Sequence, residues 1–381
     1  MQSDGKTVSA KLDAPAGPTR APHRKRGGTW ALIVLLLLAL VGVGGWFGVN
    51  YILSAPSATP SVVEFEVRPG WGASRVAAEL EEHGLVRSAR AFSVYLRFKD
   101  LDHSIGEGLY DLSPTLSVAE LAERLVSGGR PRTVRIVIPE GWRAVDVVGR
   151  LAEFDIGSAE ELQALVDAPP PEIAPAGLPS GAGLEGYLFP AGYDMPVGTS
   201  PETALAWLVD TLEDTLHAPE MLEGVPGAEN GLDALLGTIG IDVHCWVTLA
   251  SIVQAEAASD DEMGIIAGVF INRLDFGMPL QADPTVAYGL GKPMPELSAV
   301  AGDLRVDTPW NTYTRPGLPY GPIGNPGRAA LRAVLDPVRY TEDGFAYLYF
   351  LHGVDAGVPV FRPNTNLPAH ERDVDRYLRG R

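Results

Sequence analysis

Twenty consecutive uncharged residues, Trp30 to Val49, constrain this 381-residue chain more than any other feature. As a helix the run is roughly 30 Å long, the thickness of a bilayer's hydrocarbon core. Trp30, Trp46 and Tyr51 stand near its ends, where aromatic side chains suit the membrane interface. The pattern predicts a single transmembrane anchor over 28–53. Because Arg24, Lys25 and Arg26 precede it, the positive-inside rule makes residues 1–27 a cytoplasmic basic tail and puts the remaining chain on the other side. A cleaved signal peptide is the competing reading, prompted by the small residues of Ser54–Ala58. The apolar run exceeds the usual signal core of about 7–15 residues, which favours an uncleaved anchor. Gly44 and Gly48 have small-xxx-small spacing, but in so Gly-rich a span this reads as chance rather than a dimer face.

The formal charge is −18, and since residues 1–27 hold six basic and two acidic side chains, the remainder carries −22. A body that acidic repels phosphate backbones at long range, so nucleic acid is not an expected partner. With 46% hydrophobic and 20% charged residues the chain has enough apolar material for a substantial core. The one cysteine, Cys245, excludes an internal disulfide. There is no His-Glu-x-x-His and no Gly-x-Ser-x-Gly, and Gly289-Leu290-Gly291-Lys292 runs into Pro293 instead of completing a P-loop. Zinc proteases, α/β-hydrolases and nucleotide-hydrolysing enzymes thereby lose most of their support.

Beyond a Ser/Pro/Ala linker at 54–62 the hydrophobic period changes. Val62 to Val67 alternates like a strand, Arg68-Pro69-Gly70 turns, and Ala73 to His83 and Ala89 to Phe98 carry helical spacing. Gly108 to Leu112 reads as a strand, Ser117 caps a helix to Leu125, Gly128-Gly129 ends it, and Val134 to Ile138 reads as a strand. The expectation is an α+β protein: a small α+β unit over 63–133 and a larger mixed α/β domain over 134–381 with its core at 240–370. Residues 169–200, rich in Pro and Gly, read as an ordered loop whose most aromatic segment is Glu185-Gly186-Tyr187-Leu188-Phe189-Pro190.

From Trp246 to Ala257 the sequence WVTLASIVQAEA contains no Gly or Pro and predicts a helix. At 100° per residue Thr248, Ser251 and Gln254 share a polar arc, while Trp246, Leu249, Ile252 and Val253 share an apolar one. Glu256 falls inside the apolar arc. A carboxyl there keeps its proton to higher pH, as a general acid must; the plainer alternative is a helix-terminal Glu at a fraying end. The next helix, Met263 to Leu274, is preceded by Ser259-Asp260-Asp261-Glu262, a capping box in pattern, and carries Arg273 in the stripe of Ile265, Ile266, Val269 and Phe270. Two charges on two apolar faces suggest a mutual ion pair or a shared ligand, with structural pairing as the alternative. The segments 281–289, 311–314 and 317–327 then set amides, hydroxyls and aromatics among turn residues, a mixture suited to a polyhydroxylated sugar. Loops that merely cross the surface would look similar.

These residues resemble the MltG/YceG family of membrane-anchored endolytic peptidoglycan transglycosylases. The likeness is densest in Ala250-Ser251-Ile252-Val253-x-x-Glu256, Val269-Phe270-Ile271-Asn272-Arg273-Leu274, Gln281-x-Asp283-Pro284-Thr285-Val286, Asn311-Thr312-Tyr313 and Gly317-Leu318-Pro319. Glu185 to Pro190, Tyr347 to Phe350 and Asn364 to Leu367 extend it. The resemblance implies a LysM-like subdomain at 63–133, peptidoglycan glycan strands as substrate, and a place beside peptidoglycan synthases such as penicillin-binding proteins. It assigns catalysis to Glu256, which would cleave the MurNAc–GlcNAc bond and leave 1,6-anhydroMurNAc ends, a scheme that requires no metal or cofactor. Gln281, Asp283, Thr285, Asn311, Tyr313 and Arg273 are the expected substrate contacts. Two departures stand out: Gln254 occupies the first position of the family's Glu-x-Glu, and Ala191 replaces the acid of its Phe-Pro-Asp-Thr-Tyr. Rival readings are a hydrolytic muramidase using Asp283 or Glu262 as second carboxylate, and a non-catalytic wall-binding scaffold.

Overall fold

The computed structural model describes residues 27–380, so the basic tail lies outside the described residues up to Arg26. Two compact units divide at Pro131 and Arg132. In the first, α1 (Gly27–Leu53) contains the apolar stretch Leu32–Leu53, with mean hydropathy 2.6 and no part of it buried. Among the described residues it is the one helix that by itself is long and apolar enough to cross a membrane. After it come β1 (Val63–Val67), α2 (Ala73–Glu82), α3 (Ala89–Phe98), β2 (Gly108–Leu112) and α4 (Val118–Val126). β1 and β2 pair antiparallel with Phe65 opposite Tyr110, and both rings point into a core with Leu80, Phe92, Leu96 and Leu121. Ser117 and Glu120 close a complete capping box that fixes where α4 begins.

The second unit runs β3 (Thr133–Val137), α5 (Ala144–Glu153), α6 (Ala159–Asp167), β4 (Gly192–Pro196), α7 (Pro201–Leu216), α8 (Pro219–Leu222), α9 (Leu232–Ile239), α10 (Val243–Glu256), α11 (Asp260–Asp275), α12 (Asp283–Leu290), α13 (Arg328–Leu335), β5 (Tyr349–Asp355), β6 (Val358–Asn364) and α14 (Leu367–Tyr377). Its sheets are small, two antiparallel pairs: β3 with β4, and the hairpin β5–β6. The segment read as a loop over 169–200 therefore ends in a strand, because Tyr193 sits opposite Ile136 and buries its ring beside Leu188 and Met195.

At the centre lies α10. Asp242 caps it, its carboxylate accepting from the Cys245 amide at 2.7 Å. From Trp246 to Val253 every residue is buried, including Thr248 and Ser251, so the arc that reads as polar is not a wet face. Ser251 instead donates to the Thr248 carbonyl at 2.7 Å and accepts from the Ile323 amide at 3.1 Å, which satisfies its hydroxyl internally. Trp246 donates to the Leu331 carbonyl at 2.9 Å, tying α10 to α13. Alongside, α11 packs its Gly268 against Val338 so closely that a Cβ would collide with the Val338 carbonyl. The capping box expected before α11 does not form: the Glu262 carboxylate accepts from the Ala258 amide at 3.0 Å and meets His352 at 2.9 Å, and Ser259 makes no cap bond.

Much of the loop at 317–327 serves the core, although Tyr320, Gly321 and Pro322 also line a cavity. Residues 321–327 are buried. Asn325 accepts from the Leu188 amide and donates to the Trp142 carbonyl, each at 2.8 Å, so its amide clamps three chain segments together. Its glycines permit that approach: a Cβ on Gly324 would lie 2.9 Å from the Gly141 carbonyl oxygen.

Candidate active site

Glu256 is the last residue of α10, and its side chain opens into a cavity of about 380 Å³ shared with Arg273, Gln281, Asp283 and Tyr313.

 A second cavity in the same unit, of about 490 Å³, is lined by Glu185, Tyr288, Trp310 and Tyr320. In the Glu256 cavity Phe270, Leu280 and Phe350 supply apolar walls. Among the described residues no hydrogen bond reaches the Glu256 carboxyl, which protein largely encloses. Burial, and next the Asp283 charge, raise its pKa from 4.5 to about 8, while Arg273 pulls weakly the other way. A carboxyl with both oxygens free and its proton retained at neutral pH can donate that proton to a bound ligand.

Arg273 is buried, yet it forms no ion pair with Glu256. Its Nε donates to the Leu348 carbonyl and its Nη1 to the Leu280 carbonyl, each at 2.7 Å, and the guanidinium lies 5.1 Å from the centre of the Tyr349 ring. The expected pairing is thus replaced by a shared cavity, with Arg273 anchored by backbone carbonyls. Leu280 in turn leads into Gln281, whose φ of +54° is a left-handed conformation that a side chain of its size rarely adopts. Two contacts from one residue hold this turn: the Thr312 carbonyl accepts from the Gln281 amide at 3.2 Å, and the Thr312 hydroxyl accepts from the Ala282 amide at 3.0 Å. Backbone held against its preference beside a free acid is characteristic of functional sites.

Asp283 begins α12, and its carboxylate accepts from the Tyr313 hydroxyl at 2.6 Å. Burial, and next that contact, push the Tyr313 pKa up, so the phenol remains a donor. Thr285 and Asn311, expected as ligand contacts, are fully buried and outside the cavity lining. Thr285 donates to the Ala282 carbonyl at 2.6 Å. Asn311 donates to the Leu304 and Val306 carbonyls and accepts from the Tyr313 amide at 2.8 Å. Both therefore shape the loops that present Asp283 and Tyr313. Of the six expected contacts, the cavity gathers Arg273, Gln281, Asp283 and Tyr313. Glu262, bound to Ala258 and His352, does not line it.

Sequence reasoning missed His370. It lines the cavity from α14, stacks on Tyr349 at 5.3 Å, and leaves its buried Nδ1 without a hydrogen-bond partner. Burial, then the Arg273 charge, lower its pKa and keep the imidazole neutral. Asn366, which caps α14 by accepting from the Ala369 amide at 3.0 Å, positions that first turn, and this cap was the signal available in the sequence.

The second cavity contains another buried carboxyl, Glu185, beside Tyr288, Trp310 and Tyr320. Burial raises its pKa to about 7. Unlike Glu256 it is fully engaged, accepting from the Ala144 amide at 2.9 Å and the Tyr288 hydroxyl at 3.0 Å. Its oxygens hold the start of α5 and the side of α12, whereas those of Glu256 are unengaged.

Comparison with known proteins gives a concordant picture. The model of the YceG-like family matches residues 65–376. The endolytic murein transglycosylase of Streptococcus pneumoniae D39 is 29% identical over 374 residues, spanning 90% of this chain and 64% of that protein. The endolytic murein transglycosylase of Bacillus subtilis 168 is 27% identical over 351 residues, spanning 89% of this chain and 91% of that protein. A crystal structure of a YceG-like protein from Listeria monocytogenes has a TM-score of 0.50 at 26% identity, covering 82% of this chain and 98% of that one.

Proposed function

This chain belongs to the YceG-like family, and from that premise we propose that it is a membrane-anchored lytic transglycosylase that cuts peptidoglycan glycan strands within their length. The observation that carries the proposal is the Glu256 carboxyl, unbonded, facing a cavity and holding its proton to about pH 8.

In the proposed reaction Glu256 gives its proton to the oxygen of a MurNAc–GlcNAc bond as the bond to C1 breaks, so the GlcNAc side leaves as an alcohol. The charge that develops on the sugar ring faces the Asp283 carboxylate, held in place by Tyr313. Glu256, now a carboxylate, takes the proton from the C6 hydroxyl of the same MurNAc, and that oxygen closes onto C1. The product is a 1,6-anhydro end, no water is consumed, and Glu256 regains its starting state. Gln281 and Arg273 are placed to orient the sugar, and the apolar walls suit its C–H faces.

We assign α1 as the anchor, with its N-terminal side cytoplasmic and the second unit extracytoplasmic. The segment 63–133 is the part read as LysM-like, a module for binding or spacing, and peptidoglycan synthases are the proposed neighbours. One observation favours a second reading: Asp283 lies in the same cavity as Glu256, and two carboxylates are the usual equipment of a hydrolysing glycosidase. Glu256→Gln tests the enzymatic assignment. The variant should fold, still sediment with sacculi, and release no fragments; undiminished cleavage would refute the role of Glu256.

A further inference from the structure

Within the first unit, α3 carries two apolar stripes. Phe92 and Leu96 are buried in the unit's core. The second stripe, Ala91, Val94, Tyr95 and Phe98, has the spacing of one helix face, and there Val94 is 64% and Phe98 84% exposed. An apolar groove of 260 Å³ joins this stripe to Val49, Ile52 and Leu53 in the last turns of α1.

The junction is fixed. The Arg87 guanidinium lies 4.3 Å from the centre of the Tyr51 ring, donates to the Tyr51 hydroxyl at 3.1 Å and donates to the Ala55 carbonyl at 2.8 Å. These contacts hold the α3 face level with the end of α1. The apolar stretch has 22 residues, about 33 Å as a helix against a hydrocarbon core of about 30 Å, so its last turns reach the interfacial zone. Charge points the same way: residues 87–102 contain four basic and two acidic side chains in a chain of net charge −18. Arg90, Arg97 and Lys99, all exposed, border the stripe. An apolar face with a basic rim, continuous with a spanning helix, fits a bilayer interface with anionic headgroups.

We propose that α3 lies in the headgroup zone of the bilayer that α1 spans, with Val94 and Phe98 among the upper acyl segments and Arg90, Arg97 and Lys99 on anionic phosphates. The proposal rests on α1 being a membrane anchor. It makes the first unit a surface-seated element rather than one tethered only through the 54–62 linker.

The test uses the full chain carrying Cys245→Ser, in phosphatidylcholine/phosphatidylglycerol nanodiscs, with a nitroxide attached through Val43→Cys, Phe98→Cys or Glu82→Cys. Power saturation compares access to oxygen, which concentrates in lipid, with access to a water-soluble nickel chelate. Labels at 43 and 98 should both prefer oxygen, and the label at 82 should prefer nickel. Replacing Arg90, Arg97 and Lys99 together by Gln should weaken the preference at 98 and leave that at 43 unchanged. A lipid-like label at 43 with a water-like label at 98 overturns the proposal and spares the anchor. Water-like labels at both overturn both. A label at 98 shielded from both reagents means that a protein surface covers the face, and this also overturns the proposal.

Discussion

Replacing Glu256 by Gln should make the protein more stable above neutral pH while removing its activity. In the unfolded chain this carboxyl ionises near 4.5, but in the folded protein it ionises at about 8. The folded state therefore binds the proton more tightly, and stability falls as pH rises from the lower value to the higher, then levels off. At about 1.4 kcal/mol per pH unit, the two values give a loss of about 4 kcal/mol between pH 5 and pH 8.5. Gln is nearly isosteric with the protonated acid and does not titrate. The two proteins should match at pH 5, and at pH 8.5 the variant should melt higher by about 10 °C in a unit of this size. Glu185 titrates within the same interval but is common to both proteins, so it cancels in the difference. Calorimetry of both proteins in the same detergent across that range measures the effect. A melting difference that does not change with pH would refute the shielded environment assigned to Glu256.

Three further outcomes follow from neighbouring contacts. Asp283→Asn removes a charge that helps hold the Glu256 pKa up, so the alkaline limb of kcat/KM should move to lower pH by about half to one unit; an unmoved limb contradicts the coupling. Tyr313→Phe deletes the 2.6 Å donor to Asp283 and should cut kcat/KM by about tenfold or more, with circular dichroism unchanged; wild-type kinetics would show that the bond does not position Asp283. Gly268→Ala forces a methyl against the Val338 carbonyl and should cost about 2–3 kcal/mol in thermal or denaturant unfolding; unaltered stability would mean that α11 does not approach that backbone so closely.

How much of this was legible depended on whether a residue's setting is local. Glu256 could be identified because helical phase alone puts it among Ile252 and Leu249, and the same holds for Arg273 on α11. Their relation was not legible, since Arg273 finds its partners in the carbonyls of Leu280 and Leu348, the latter far along the chain. Thr285 and Asn311 were read as ligand contacts from residue type, but a hydroxyl or amide in a loop serves equally well to bind backbone, and burial decided the matter. The same ambiguity hid the clamp at Asn325. His370 was missed because it reaches the cavity from the last helix, more than a hundred residues beyond Glu256, and no periodicity in a single sequence encodes that approach. The order of small units was easier to read: β1, α3 and β2 follow from alternation, helical spacing and caps within a few residues. β4 was not read as a strand because its partner β3 is distant in sequence and its own five residues contain Gly and Pro.

The most direct test of the central claim is the isotopic composition of new glycan ends after peptidoglycan is digested by the full chain in ¹⁸O-labelled water. Closure of the C6 hydroxyl onto C1, with Glu256 as acid and then base, should give MurNAc ends lacking one water relative to a reducing end and free of ¹⁸O. Reducing ends carrying ¹⁸O would show that water attacks C1, and would make the enzyme a hydrolase with Asp283 as its second carboxylate.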